Sequence, residues 1–216
     1  MNHKTIVIAV LASLLVLFVG GSIYYDSQQA VKHAQRLAQH KDALAKPHAP
    51  HLGNPKAKVT IVEFMDPACE TCSQFHPFVK KLLQKHSYKL NLVLRYAPFH
   101  EGSENVIQLL EASRKAGKYW DVLDLVYQTQ PGWASHHNPQ QEKIWEYLEY
   151  YKFDVVVLRK AMQTTNVSNM IAIDLADAKL LDVHKTPSFF VNGKPLTNFG
   201  FEQLEQLVES EIAAHY

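Results

Sequence analysis

Residues 59–72 read VTIVEFMDPACETC, and this stretch decides the fold. Its first half, Val59 to Phe64, is a near-continuous apolar run, the pattern of a strand covered on both faces. Its second half carries both cysteines of the chain, Cys69 and Cys72. The following segment, Ser73 to His86, places Phe75, Phe78, Val79, Leu82 and Leu83 on one helical side. Pro77 lies inside it and is expected to kink the helix, because proline removes an internal hydrogen bond. Leu90 to Tyr96 (LNLVLRY) reads as a second strand. Strand, helix, strand predicts parallel strands joined by a right-handed crossover.

The turn between the first strand and the helix places Cys69 at a helix N-terminus. Free N–H groups and the helix dipole favour a thiolate there. A thiolate is the attacking and leaving species in disulfide exchange. Cys69 is therefore the candidate reactive sulfur, and Cys72, one turn on and facing inward, the candidate resolving thiol. Three other readings stand beside a redox pair. The cysteines can supply half a zinc site with His86, although no second histidine follows it at finger spacing. They can be plain core residues. They can form a structural disulfide, whose four-residue loop would constrain the unfolded chain little. Glu63 interrupts the first strand, and burial there raises a carboxyl pKa. It either passes a proton to or from the Cys72 sulfur or pairs with Arg95 on the next strand.

Outward from this core the pattern is helical from about Glu101 to Asp182. Ser103 is expected to cap a helix ending near Gly117, Asn138-Pro139 to start another, and Asp154 to cap a third. Ser188 to Val191 (SFFV) reads as a strand, Asn192-Gly193 as a hairpin turn, and Lys194 to Thr197 as the returning strand. Glu202 to Ala213 closes the chain as an amphipathic helix. Thr186-Pro187 is a candidate cis bond, or an ordinary strand-opening proline. His136 and His137 read as surface residues. The fold class is α/β, with β-α-β and β-β-α halves around a helical insertion at about 101–182.

At the other end, Thr5 to Tyr25 contains no charge. Its length, at about 1.5 Å per residue, matches a hydrocarbon core of roughly 30 Å. It reads as a transmembrane anchor, with residues 1–4 cytoplasmic, or as a cleaved signal whose site at Val19-Gly20-Gly21 would be poor. Lys4 is the export cue, although Lys32, Arg36, Lys41 and Lys46 beyond the run argue for the opposite orientation. Residues 26–51 form a polar helical linker, either a stalk or a dimerising helix over residues 26–50, and the folded domain spans 52–216. The 216 residues are 47% hydrophobic and 20% charged, which excludes a multi-span membrane protein and a disordered chain. A net charge of +1 leaves no electrostatic footprint for nucleic acid.

Together these pieces resemble the DsbA-like branch of the thioredoxin superfamily, in its membrane-anchored or exported bacterial members. The resemblance covers roughly residues 52–214. It rests on VTIVEFMDPACETC, LNLVLRYAPFH, GKYWDVLDLVYQTQ and LDVHKTPSFFVNGK. It implies a thioredoxin-like fold with inserted helices. It makes Cys69 the nucleophile, Cys72 the resolving cysteine, Pro187 the cis-proline beside the disulfide, Thr186 the residue that helps choose partners, and Glu63 the buried acid beneath the site. The implied activity is the introduction of disulfides into cysteine-containing exported proteins on the outer side of a bacterial inner membrane. A membrane redox partner would recycle the pair, and no metal or organic cofactor beyond the Cys69–Cys72 disulfide is needed. The alternatives are a periplasmic reductase or isomerase kept reduced by a membrane partner, and a non-catalytic chaperone or metal-delivery module. One departure matters: Glu70-Thr71 stands between the cysteines, where strongly oxidising members often carry Pro-His. A carboxylate in place of a potential cation disfavours the Cys69 thiolate, and so predicts a milder oxidant.

Overall fold

In the computed structural model the apolar run becomes the middle strand of a five-stranded sheet. The structure describes residues 13–15, 17–22, 24–25, 27–28, 41–134 and 139–216. Strands β1 (His51–Gly53), β2 (Val59–Met65), β3 (Leu90–Tyr96), β4 (Ser188–Val191) and β5 (Lys194–Pro195) lie in the order β1-β3-β2-β4-β5. β2 runs parallel to β3 and antiparallel to β4. Six of its seven residues are buried, as a strand paired on both edges and covered on both faces requires.

Helix α1 (Lys41–Leu44) precedes the sheet. Helix α2 (Glu70–Lys85) connects β2 to β3 and runs through Pro77, burying Cys72, Phe75, His76, Val79, Leu82 and Leu83. Among the described residues six helices lie between β3 and β4: α3 (Ser103–Lys115), α4 (Tyr119–Gln128), α5 (Gln130–Trp133), α6 (Glu142–Tyr150), α7 (Val155–Gln163) and α8 (Ser168–Leu180). Helix α9 (Phe201–His215) closes the chain with Leu204, Val208 and Ile212 buried. The β-α-β and β-β-α halves and the helical insertion are thus where the sequence places them. The Asp154 cap is present too, its side chain accepting from the Val157 N–H at 3.0 Å.

The differences have physical causes. Ser103 does not cap α3: Gly102 holds that place in a left-handed conformation, and the buried Ser103 hydroxyl donates to Asp66 instead. β1 straddles the boundary expected between linker (26–51) and domain (52–216), where the sequence suggested no strand. It is a three-residue strand paired antiparallel to β3, too short for an alternating pattern. Gly53 makes that edge possible, because its φ is +98° and a Cβ there would stand 2.7 Å from the Leu90 carbonyl. The start suggested at Asn138, and His136-His137, lie outside the described residues.

Residues 41–50 also pack onto the domain rather than trailing from it. Ala43, Leu44 and Ala49 are buried. Arg95, fully buried, donates to the Ala43 carbonyl and pairs with Asp174 of α8 at 2.7 Å and Asp177 at 2.6 Å. Asp174 also accepts from the Tyr96 N–H at 2.8 Å and bonds the His48 ring at 2.7 Å. This corrects the reading that Arg95 pairs with Glu63. Glu63 is in register with Leu94, so the two share one sheet face and Arg95, the next residue, points to the other.

Residues 1–40 form a separate unit, and its described residues are helical. Among the described residues no helix is long and apolar enough to cross a membrane. Residues 5–12, 16 and 23 of the span expected at 5–25, and residues 26 and 29–40 of the dimerising stretch expected at 26–50, lie outside the described residues.

Removing one partner of a buried ion pair leaves the other charge uncompensated. Arg95→Leu is therefore expected to lower stability by about 3–5 kcal/mol in urea unfolding, because Asp174 stays behind in the interior.

Candidate functional site

The pairing of β2 with β4 assembles the site. Phe64 is opposite Ser188, so the chain leaving β2 and the chain entering β4 meet at one end of the sheet. Cys69 is the N-cap residue of α2, with φ −76° and ψ 118°. Its Sγ lies 3.2 Å from the Thr186 carbonyl oxygen, although 117 residues separate the two in sequence. The Thr186–Pro187 peptide is cis. Both cysteines are free, Cys69 at 6% exposure and Cys72 at 0%.

The two sulfurs titrate in opposite directions. The Cys69 thiol is lowered to about 6, first by the hydrogen bond from the Cys72 thiol. Bonds from Thr186 and from the backbone N–H groups of Cys72 and Thr71 add to this, against the cost of burial. The Cys72 thiol is pushed well up, chiefly by burial and then by its role as donor to Cys69. The charges of Cys69 and Glu63 act in the same direction. Position alone thus makes Cys69 the thiolate and Cys72 the protonated partner at neutral pH. Thr71 enters through its backbone, while the Glu70 side chain lies exposed at the surface.

Glu63 is 2% exposed, and its carboxyl is pushed up to about 8, by burial first and by the Cys69 charge second. It is therefore a neutral acid at pH 7. His86, the residue that a zinc site would have used, instead bonds Glu209 of α9 at 2.9 Å.

Asp66 is the residue that the sequence reading missed. Its carboxylate is fully buried. It accepts from the N–H groups of Ala68 at 2.8 Å, Phe99 at 2.7 Å and His100 at 2.9 Å, from the His100 ring at 2.8 Å, and from Ser103. Its carbonyl accepts the Cys69 N–H at 3.1 Å. It ties the active-site turn to the loop after β3. The available signal was an aspartate directly after a buried strand and before proline, where a carboxylate needs several donors. A second unread feature is an aromatic surface beside α2. Phe201 stacks on Phe75 at 4.2 Å, and Phe199 lies 4.9 Å from Phe75. Phe199 and Phe201 are 43% and 42% exposed, and the Lys185 ammonium lies over the Phe199 ring.

Raising the Glu63 pKa from 4.5 to about 8 has a stability consequence. Its contribution is fully present below the unfolded value and is lost as pH rises through the folded one. Glu63→Gln is accordingly expected to stabilise the fold by roughly 2–3 kcal/mol at pH 7 and by almost nothing at pH 4. Urea unfolding at the two pH values checks this.

A thioredoxin family model matches residues 45–210. The chain is 29% identical over 173 residues to a Na(+)/H(+) antiporter NhaA 3 of Salinispora tropica, covering 78% of this chain but 26% of the antiporter. It spans about a quarter of the length of such antiporters. A probable disulfide bond formation protein D of Bacillus anthracis is 25% identical over 224 residues, with 98% of each chain covered. Among solved structures, a thioredoxin-like oxidoreductase from Silicibacter pomeroyi DSS-3 superposes with a TM-score of 0.65 at 29% identity, covering 78% of this chain and 95% of that one.

Proposed function

Because the chain belongs to the thioredoxin family, in the DsbA-like form with helices inserted between β3 and β4, we propose that it is a thiol:disulfide oxidoreductase that introduces disulfides into exported proteins. The observation that carries this reading is the split between the two sulfurs: one acidic and set against cis-Thr186–Pro187, the other buried and protonated.

In the oxidised protein a client thiolate attacks Sγ of Cys69. The Cys69–Cys72 bond breaks, and its electron pair leaves on Cys72. Glu63, a neutral acid below about pH 8, gives its proton to that sulfur. The client's second thiolate then attacks the client sulfur of the mixed disulfide, and Cys69 leaves as a thiolate. The client has lost two electrons and the cysteine pair has gained them. The acidity of Cys69 suits the second departure, since a sulfur of lower pKa leaves faster, whereas the first departure is from the less acidic Cys72 and is helped by the proton from Glu63. The client backbone lies along the Thr186–Pro187 edge, with apolar side chains against Phe199 and Phe201.

A membrane redox partner takes the two electrons and restores the disulfide. We place the domain outside the bacterial inner membrane, held by the span at 5–25. The described side chains Leu14, Leu15, Leu17 and Phe18 support this, each being more than half exposed. The name of the Bacillus relative, matched over nearly the full length, agrees with the direction of oxidation.

The reading is tested in cells by thiol trapping. Cys69→Ser abolishes client oxidation, while Cys72→Ser accumulates a mixed disulfide on Cys69. A wild-type pair found reduced at steady state would reverse the direction to reduction or isomerisation. Function that survives Cys69→Ser would make the domain a binding module.

Glu70 and Thr71 set how strongly the pair oxidises. The double change Glu70→Pro/Thr71→His is expected to lower the Cys69 pKa by about one unit and raise the potential by roughly 30 mV. Equilibration with glutathione measures it.

A further inference from the structure

The short helix α5 sits in the insertion, yet its first side chain reaches the active-site turn. Trp133 is almost fully buried at 1% exposure, and its indole N–H donates to the Val126 carbonyl at 2.9 Å, which holds α5 in place. Gln130 is thereby kept at 2% exposure. Its Nε2 donates to the Pro67 carbonyl at 2.8 Å and to the Cys69 carbonyl at 3.1 Å. The Cys69 carbonyl also accepts the Ser73 N–H at 3.2 Å, the first-turn bond of α2.

The peptide between Pro67 and Ala68 is gripped at both ends. Its carbonyl accepts from Gln130 and its N–H donates to the Asp66 carboxylate. A planar peptide held at its two opposite poles cannot rotate without breaking one bond or the other. The peptide that follows Cys69 is held at its carbonyl by the same amide. The bonds that favour the Cys69 thiolate come from the Cys72 thiol, from Thr186 and from the backbone N–H groups of Thr71 and Cys72, and the aim of those in the first turn of α2 depends on this turn.

We propose that Gln130 is a positioning residue for Cys69, through which the helical insertion governs the reactivity of the exchanging thiol. This rests on the reading of Cys69–Cys72 as an exchanging pair. A buried amide that only filled space would stabilise the oxidised and reduced proteins equally. An amide that aims the turn favours the form carrying the Cys69 thiolate.

Gln130→Met keeps the size and removes both donors without altering charge. Gln130→Glu keeps the shape and turns acceptors toward the two carbonyls. The full-length protein and both variants are titrated by the pH dependence of Cys69 alkylation, equilibrated with glutathione, and unfolded in urea in oxidised and reduced forms. The midpoint, about 6 in the parent, is expected to rise by about one unit in the Met variant. The equilibrium constant for oxidising glutathione is expected to fall about tenfold, with the reduced form losing more stability than the oxidised. The Glu variant moves in the same direction and carries the test if the Met variant does not fold. Midpoints and glutathione equilibria that coincide with the parent's overturn the proposal, however much stability is lost. A parent that does not exchange with glutathione removes the exchange reading and this one together. A parent that exchanges beside unchanged variants removes only the role of Gln130.

Discussion

The antiparallel register of β2 against β4 is the constraint on which the chemistry depends. Phe64 opposite Ser188 is what sets Thr186 within 3.2 Å of a sulfur 117 residues away. The side-chain period of a strand is two residues, so a slip of one place would turn every side chain of β2 to the opposite face of the sheet. Glu63, opposite Phe189, would exchange its buried place for that of Phe64. Ring contacts such as Phe75 with Phe189, whose centroids lie 5.3 Å apart, would be lost with it. The core therefore enforces the register, and the site inherits it. Burial of Val59, Ile61, Phe64 and Met65 at 0% exposure is the energetic source of that enforcement.

Two sulfurs of one residue type, three positions apart, are made chemically different by their surroundings. Burial raises both, yet at Cys69 the donors outweigh it, while at Cys72 nothing comparable does. Beside the Cys72 thiol and Thr186, two of the donors are backbone groups at the start of α2, which no substitution can remove directly. They are aimed by polar side chains that do not touch the sulfur. Asp66 holds the turn from the loop after β3, and the carbonyls on its other side face the insertion. The turn is fixed by charge and hydrogen bonding on a foundation that apolar packing supplies.

This division explains what was legible before the structure. Cys69, Cys72, Glu63 and Thr186-Pro187 announce themselves locally: a spacing, a charge in an apolar strand, a proline at a strand entrance. The strands β2 and β3 follow from short apolar runs, and the helical block between β3 and β4 from helical periodicity and capping signals. Asp66, Gln130 and Asp174 were not legible in the same way. Each is an ordinary polar residue in sequence, and its role exists only once a partner from another element is delivered to it. Arg95 shows the limit plainly. Its pairing with Glu63, one of two readings of that carboxylate, ignored the strand's alternation, which points Arg95 to the opposite face and toward Asp174. The three-residue β1 carries too little pattern to be read at all.

The two perturbed acids also set a working range. In the reduced protein the Cys69 pKa is lowered from 9.0 to about 6. Its contribution to the stability of that form is complete above the unfolded value and is lost as pH falls through about 6. Glu63 runs the other way, its contribution being present below 4.5 and lost as pH rises through about 8. Between these limits Cys69 is charged while Glu63 still holds its proton. The proposed leaving thiolate and the proposed proton donor to the other sulfur then coexist. Below the range the first is protonated; above it the second is spent, and a charged Glu63 stands beside a charged Cys69. Each charge raises the cost of the other, so burial of the acid and exposure of backbone donors to the sulfur are two halves of one electrostatic arrangement.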